Sequence, residues 1–151
     1  MKRQIIVLFI VLVSFQISLS QTISAKEKAV YKSQWIEMCS SMNKQCPIVV
    51  DELTTLRSMT FYNWTLSTVY NIDLDVNDFS DDDIDVFLTC LKTYQKKNIP
   101  RLFSRGKYDF RLSDFPKLLK ALNMKFRMLY YDTNQVLLGI IVFDYRDFVV
   151  K

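Results

Sequence analysis

From Tyr62 to Leu74 the chain alternates. Tyr62, Trp64, Leu66, Thr68, Tyr70, Ile72 and Leu74 take every second position, with Asn63, Thr65, Ser67, Asn71 and Asp73 between them. Val69 is the apolar exception. Successive side chains of a strand point to opposite faces, so a period of two predicts a half-buried strand with one wet face. The preceding run, "IVVDELTTLRSM", is rich in β-branched residues and follows Pro47, which disfavours helix at Cys46. It predicts a second strand, with its alternation broken at Asp51 and Glu52, and a turn near Ser58 to Phe61. No Gly or Asn-Gly there sets a turn type.

Helical patterns flank this pair. Tyr31, Trp35, Met38 and Met42 are spaced by four, three and four, which predicts a helix from about Ala25 to Ser41. In "SDDDIDVFLTCLKTYQKK", Ser80 is a cap, and Asp81, Asp82 and Asp83 lie in the first turn, where the helix dipole favours negative charge. Ile84, Phe87, Leu88, Leu91 and Tyr94 form its apolar stripe, and Pro100 is expected to stop it. A further helix fits "SDFPKLLKALN", capped by Ser113, with Pro116 in the tolerated first turn and Phe115, Leu118, Leu119 and Leu122 facing inward. The tail predicts a hairpin: Phe126 to Tyr131, a turn over Asp132 to Gln135, and Val136 to Phe143. The last strand is apolar on both faces, which suggests a central position or a face covered by helices. Gly139 marks a bulge or a close backbone approach.

The expected fold is therefore α+β: an N-terminal helix, a β-hairpin, two helices and a β-hairpin. They would form a mainly antiparallel four-stranded sheet with helices on one face. Residues 21–151 suit one domain. Residues 1–20, "MKRQIIVLFIVLVSFQISLS", read as a secretory signal peptide. Lys2 and Arg3 precede an apolar run from Ile5 to Val13 that is too short to span a bilayer, and the small residues Ser18 and Ser20 precede the cleavage point. An uncleaved N-terminal anchor is the alternative. Removing Lys2 and Arg3 lowers the formal net charge of +4 by two. The basic balance is thus no signature of nucleic-acid binding. No second long apolar run follows, so no transmembrane segment is expected in the mature chain.

Export makes a disulfide plausible, and Cys46 with Cys90 would tie a strand start to a core helix. Three cysteines leave one thiol over; the Cys46–Cys90 pairing is favoured, with three buried thiols as the alternative.

The chain has no His, which removes the commonest general base, the Ser-His-Asp and Cys-His systems and most zinc sites. Two glycines, Gly106 and Gly139, cannot build a phosphate-cradling loop. Asp51 and Glu52, adjacent on a strand, would diverge to opposite faces. The acidic series Asp73, Asp75, Asp78 and Asp81 to Asp83 lacks the central Gly and the bidentate Glu of a calcium loop, and helix capping accounts for it. No cofactor or metal is expected. Asn63 begins the sequon "NWT", which matters only in a eukaryotic secretory pathway.

From Lys92 to Arg127 there are eleven Lys or Arg against two Asp, interleaved with aromatics. Such a segment is either a docking face for an acidic protein or an anionic envelope component, or a solvated surface balanced by the acidic stretch before it. The residues that would carry docking are Arg101, Arg105, Lys107 and Arg111, with Tyr108 and Phe110 as apolar anchors.

Cys46, Pro47, Val50, Asp51, Thr54 and, one step displaced, Leu56 form a Cys-Pro-x-x-Val-Asp segment that resembles one found in small exported bacterial proteins. The tyrosine-rich "MLYYDTNQVLLGIIV" is similar to a later hairpin of the same group, although the Pro-Gly turn expected after Met59 is missing. The resemblance implies a secreted α+β domain and brings no activity or site residues. The function expected is a small non-enzymatic binding domain of the bacterial periplasm or cell exterior, with no nucleic acid as its physiological partner. The alternative is an envelope hydrolase using Asp51 with Asp73 or Asp75.

Overall fold

The structure is a computed structural model and describes residues 23–104 and 115–149. The expected signal, residues 1–20, lies outside them. Helix α1 is Ala25–Asn43, β1 is Ile48–Val49, β2 is Thr54–Tyr62 and β3 is Thr65–Ile72. A 3-10 turn at Val76–Asp78 leads into α2, Asp81–Ser104. Then come α3 (Phe115–Leu122), β4 (Lys125–Tyr131), β5 (Leu137–Phe143) and a 3-10 turn at Tyr145–Phe148.

The class is α+β, but the sheet has five strands in the order β1-β2-β3-β4-β5, not four. Asp51 and Glu52 interrupt the first predicted strand. They lie in a bend that splits β1 from β2, and Asp51 Oδ1 accepts the Leu53 amide at 3.0 Å. The sheet is also mixed, because β3 and β4 run parallel while the other pairs are antiparallel. A parallel pair needs a crossover, and the segment containing α2 and α3 supplies it.

The turn expected near Ser58 falls later. β2 runs through that stretch with a bulge between Leu56 and Ser58. The reversal is a two-residue turn at Asn63 and Trp64, both with positive φ (45° and 57°), as the twist of a tight hairpin demands. Asn tolerates this conformation, and Trp64 is held in it by an edge contact with Phe61, centroids 5.8 Å apart.

Register aligns three rows across four strands: Leu56–Tyr70–Tyr130–Gly139, Met59–Thr68–Met128–Ile141 and Phe61–Leu66–Phe126–Phe143. These rows are the floor of the core, and all three helices touch them. Trp35 of α1 stacks on Phe61 at 5.9 Å, and Phe115 of α3 stacks on Phe126 at 6.2 Å. α2 reaches Gly139, where an added Cβ would collide with Leu88 Cδ1. Both readings of Gly139 hold, since the register also shifts beside it, between Tyr130 and Tyr131.

β5 is an edge strand and not a central one. Its inner face is covered, but Leu137, Ile140 and Val142 are 44–47% exposed on the face that carries no helix among the described residues. The opposite edge is handled differently. β1 pairs only with Leu56 and Thr55, so beyond it β2 would be bare. The Asn43 side chain fills in, giving Nδ2 to the Met59 carbonyl and taking the Met59 amide, both at 2.7 Å.

Asp132, fully buried, locks the far end of the parallel pair. Its carboxylate accepts the Val136 amide at 2.7 Å and the Val76 amide at 3.3 Å. Next to it the Thr133 amide and hydroxyl both donate to the Leu74 carbonyl at 3.1 Å. Asp132→Ala is expected to destabilise the fold by about 1–3 kcal/mol, since two part-buried amides lose their acceptor. Asp132→Asn, keeping one acceptor oxygen, should cost about half as much, and urea unfolding of both variants measures the difference.

Carboxylates also cap the helices. Glu27 and Asp83 close capping boxes with Ser24 and Ser80, and Asp144 accepts from the Arg146 amide and guanidinium. Side-chain hydrogen bonds hold all three carboxyls below their ordinary values. A lowered folded-state pKa stabilises the protein above the unfolded value and is lost as pH falls through the folded one. Thermal stability should therefore be flat near neutrality and fall below about pH 4.

Candidate functional site

α2 does not stop at Pro100; it continues to Ser104 with the proline inside. Its inward stripe also differs from the expected one. Tyr94 points outward, 63% exposed, and Ile99 is buried. On the exposed side, Thr93, Lys96, Lys97, Pro100 and Arg101 share one face at i, i+3, i+4, i+7 and i+8. That face walls a groove of about 700 Å³, completed by Phe115, Pro116 and Lys117 of α3 and by Phe148 and Val149 at the C-terminal turn.

The groove's apolar floor follows from these residues. Pro100 and Pro116 bring no amide donors. Phe115 and Phe148 are almost fully buried and meet edge to face at 5.1 Å. Phe148 also packs on Phe143 at 5.7 Å, so the floor is an extension of the core. Lys120 Nζ sits 5.5 Å from the Tyr145 ring centroid, a cation–π contact that ties α3 to the C-terminal turn.

The rim is basic. Lys96, Lys97, Arg101 and Lys117 are exposed, and no carboxylate is among the described lining residues. Among the described residues Lys96 and Lys97 carry no hydrogen bond or ion pair.

Of the expected docking residues, Arg101 lies on this rim. Arg105, Lys107, Tyr108, Phe110 and Arg111 lie outside the described residues. The basic segment is not one patch, because Lys125 and Arg127 are exposed on β4, out of step with the inward Phe126 and Met128. Sequence reasoning passed over Lys117 and the groove-facing stripe. The signal was the 93/96/97/100/101 spacing, hidden once Pro100 was taken as a helix end.

Two of the acids named for the hydrolase alternative, Asp51 and Asp75, accept turn amides. Asp51 and Asp73 are exposed, and Asp75 caps the 3-10 turn through the Asn77 amide at 3.0 Å. The Asn77 amide and the Asn134 side chain lower its pKa. Among the described residues no group of three His, Cys, Asp or Glu is placed to hold a metal ion.

The expected Cys46–Cys90 bridge is not formed: all three cysteines are free. Cys46 is half-buried against the core, just before a cis peptide bond to Pro47, while Cys90 is exposed on α2. Burial pushes the Cys39 thiol up to about 11.

Solved structures of small bacterial proteins share this fold. A pilotin of the type 2 secretion system of Vibrio vulnificus superposes with a TM-score of 0.53 at 7% identity, over 85% of this chain and 100% of its own. The type II secretion system pilotin of Vibrio cholerae gives 0.50 at 10% identity, over 82% and 96%. A protein of Pseudomonas aeruginosa described as secreted gives 0.51 at 9% identity, over 78% and 96%. At these identities the likeness is one of fold. No family model matches the sequence, and no curated protein matches it. Among the described residues no helix is long and apolar enough to cross a membrane.

Alkylation of the native protein without reductant should label Cys90 first, Cys46 slowly and Cys39 only after unfolding. Protection of both Cys46 and Cys90 that reductant releases, read by mass, would restore the disulfide.

Proposed function

We propose that this chain is an exported, non-enzymatic domain that holds a protein partner in the groove between α2 and α3. The observation that carries this reading is the groove's composition. Lys96 and Lys97 stand beside an apolar floor, and no carboxylate is among the described residues that line it. Such a surface attracts an acidic partner electrostatically and retains it by apolar burial. The cations sit on helices whose other faces are committed to the core, so the rim is presented on a firm base. The apolar leader at residues 1–20 supports export to the periplasm or cell exterior. The fold's occurrence in pilotins of type II secretion systems agrees with a partner in the bacterial envelope. A hydrolase reading finds no support in Asp51 and Asp75, which accept turn amides, or in Asp73, which is exposed.

Reversing Lys96, Lys97 and Arg101 to Glu should abolish capture of envelope partners by the tagged chain. Each reversal should shift stability by no more than about 1 kcal/mol, the largest at Arg101 in the last turn of α2. A variant that recovers the same partners as the wild type overturns the proposal.

A further inference from the structure

We propose that two copies of this chain pair antiparallel along β5, with α2 of each packed beside α2 of the other. The surface is separate from the groove and begins with the strand. Among the described residues β5 pairs with β4 alone, so its outer edge presents backbone amides and carbonyls. Natural edge strands are often blunted by charges or proline. β5 has neither: no charged residue and no Pro occurs from Val136 to Phe143. On the outer face Ile140 lies beside Leu129, and Leu129 beside Val69, so the edge ends an apolar band.

The feature that identifies the occupant as a second copy is α2. The helix follows the Val76 amide, which meets Asp132 beside the β4–β5 turn, and it ends near Phe148, just past β5. It therefore runs in the same direction as β5. Leu88 rests on Gly139, next to Ile140, the middle residue of the strand. The Gln95 side chain hydrogen-bonds Tyr130 on β4, so α2 sits over the gap between β4 and β5. Asp85 and Lys92 come three residues before Leu88 and four after it, which places both on its flank. Both are exposed, whereas Phe87, on the opposite flank, packs on the core. The flank turned beyond β5 thus carries one acid and one base, set about Leu88.

A two-fold axis at Ile140 makes these features answer one another. It sets the two β5 strands antiparallel, and with them the two α2 helices. Ile140 meets its own equivalent on the outer face, and no like charges meet along the strands. Asp85 of each copy comes opposite Lys92 of the other, so the ion pair forms twice. With strands about 4.8 Å apart and each helix set back by half a strand spacing, the two helix axes lie about 10 Å apart, a normal packing distance. A foreign strand could join the edge but would leave Asp85 and Lys92 unanswered. The seven-residue edge is about 24 Å long and the sheet with its helix layer about 20 Å deep, so pairing covers on the order of 1,000 Å² over both copies. That is the lower limit of specific interfaces, and the dimer should dissociate in the micromolar range.

The test is sedimentation velocity on the full chain at low salt, from about 1 to about 500 µM. A monomer–dimer equilibrium is expected, weakened by added salt. Lys92→Glu and Asp85→Lys each set like charges opposite one another twice. Either should weaken association at least about tenfold, and the double variant Asp85→Lys/Lys92→Glu should regain most of it. Ile140→Lys, which places a charge on the axis at an exposed position, should leave the chain monomeric with an unchanged far-UV circular dichroism spectrum. A wild-type chain that stays monomeric at roughly 500 µM overturns the proposal. So does a dimer that Ile140→Lys leaves intact, or a charge exchange that associates no better than the single variants.

Discussion

The parallel pairing of β3 with β4 joins two hairpins that are far apart in sequence, and the domain depends on it. Parallel ladders require a long crossover and are slightly less stable per residue than antiparallel ones. This one is clamped at both ends. At the start, the Lys125 amide donates to the Trp64 carbonyl at 2.9 Å, directly from the hairpin turn. At the finish, buried Asp132 gathers amides from the chain leaving β3 and from the turn entering β5. With both ends fixed, the three side-chain rows stay in line across four strands, and the helices have one continuous floor to cover.

The site follows from that floor. α2 packs one stripe inward at Leu88 and Ile99, which leaves another stripe facing α3. α3 is too short to cover both, because its eight residues are anchored on Phe126 through Phe115. The gap between two helices committed to the same sheet is the groove. Its cations cost the core nothing, since Lys96, Lys97, Arg101 and Lys117 are exposed residues on the outer faces of α2 and α3.

Much of the local structure could be read from the chain. The alternation of Leu66, Thr68, Tyr70 and Ile72, the cap at Ser80 and the stripe of α3 depend on neighbours within a few residues. The misreadings share one cause. Pro100 was read as an end because proline removes a hydrogen bond, but the surrounding packing holds α2 together across it. Tyr94 was placed inward by periodicity and is displaced by Ile99, which meets the core further along the helix. β5 was given a covered or central place because both its faces are apolar, yet it stands at the edge with Leu137, Ile140 and Val142 in solvent. Composition reports what a strand can bury, and its position in the sheet decides what it does bury.

By itself the sequence determined the helices, four of the strands, the α+β class, and the absence of histidine that closes several catalytic routes, because periodicity, capping and chemical inventory are local properties. Only the tertiary structure decided the parallel joint between the hairpins, the role of Asn43 at the β2 edge, the burial of Asp132 and the meeting of Lys96, Lys97 and Arg101 with Lys117. Each of these brings together groups that are distant in the chain or turned by a neighbour's packing, and no spacing within one segment encodes such a meeting.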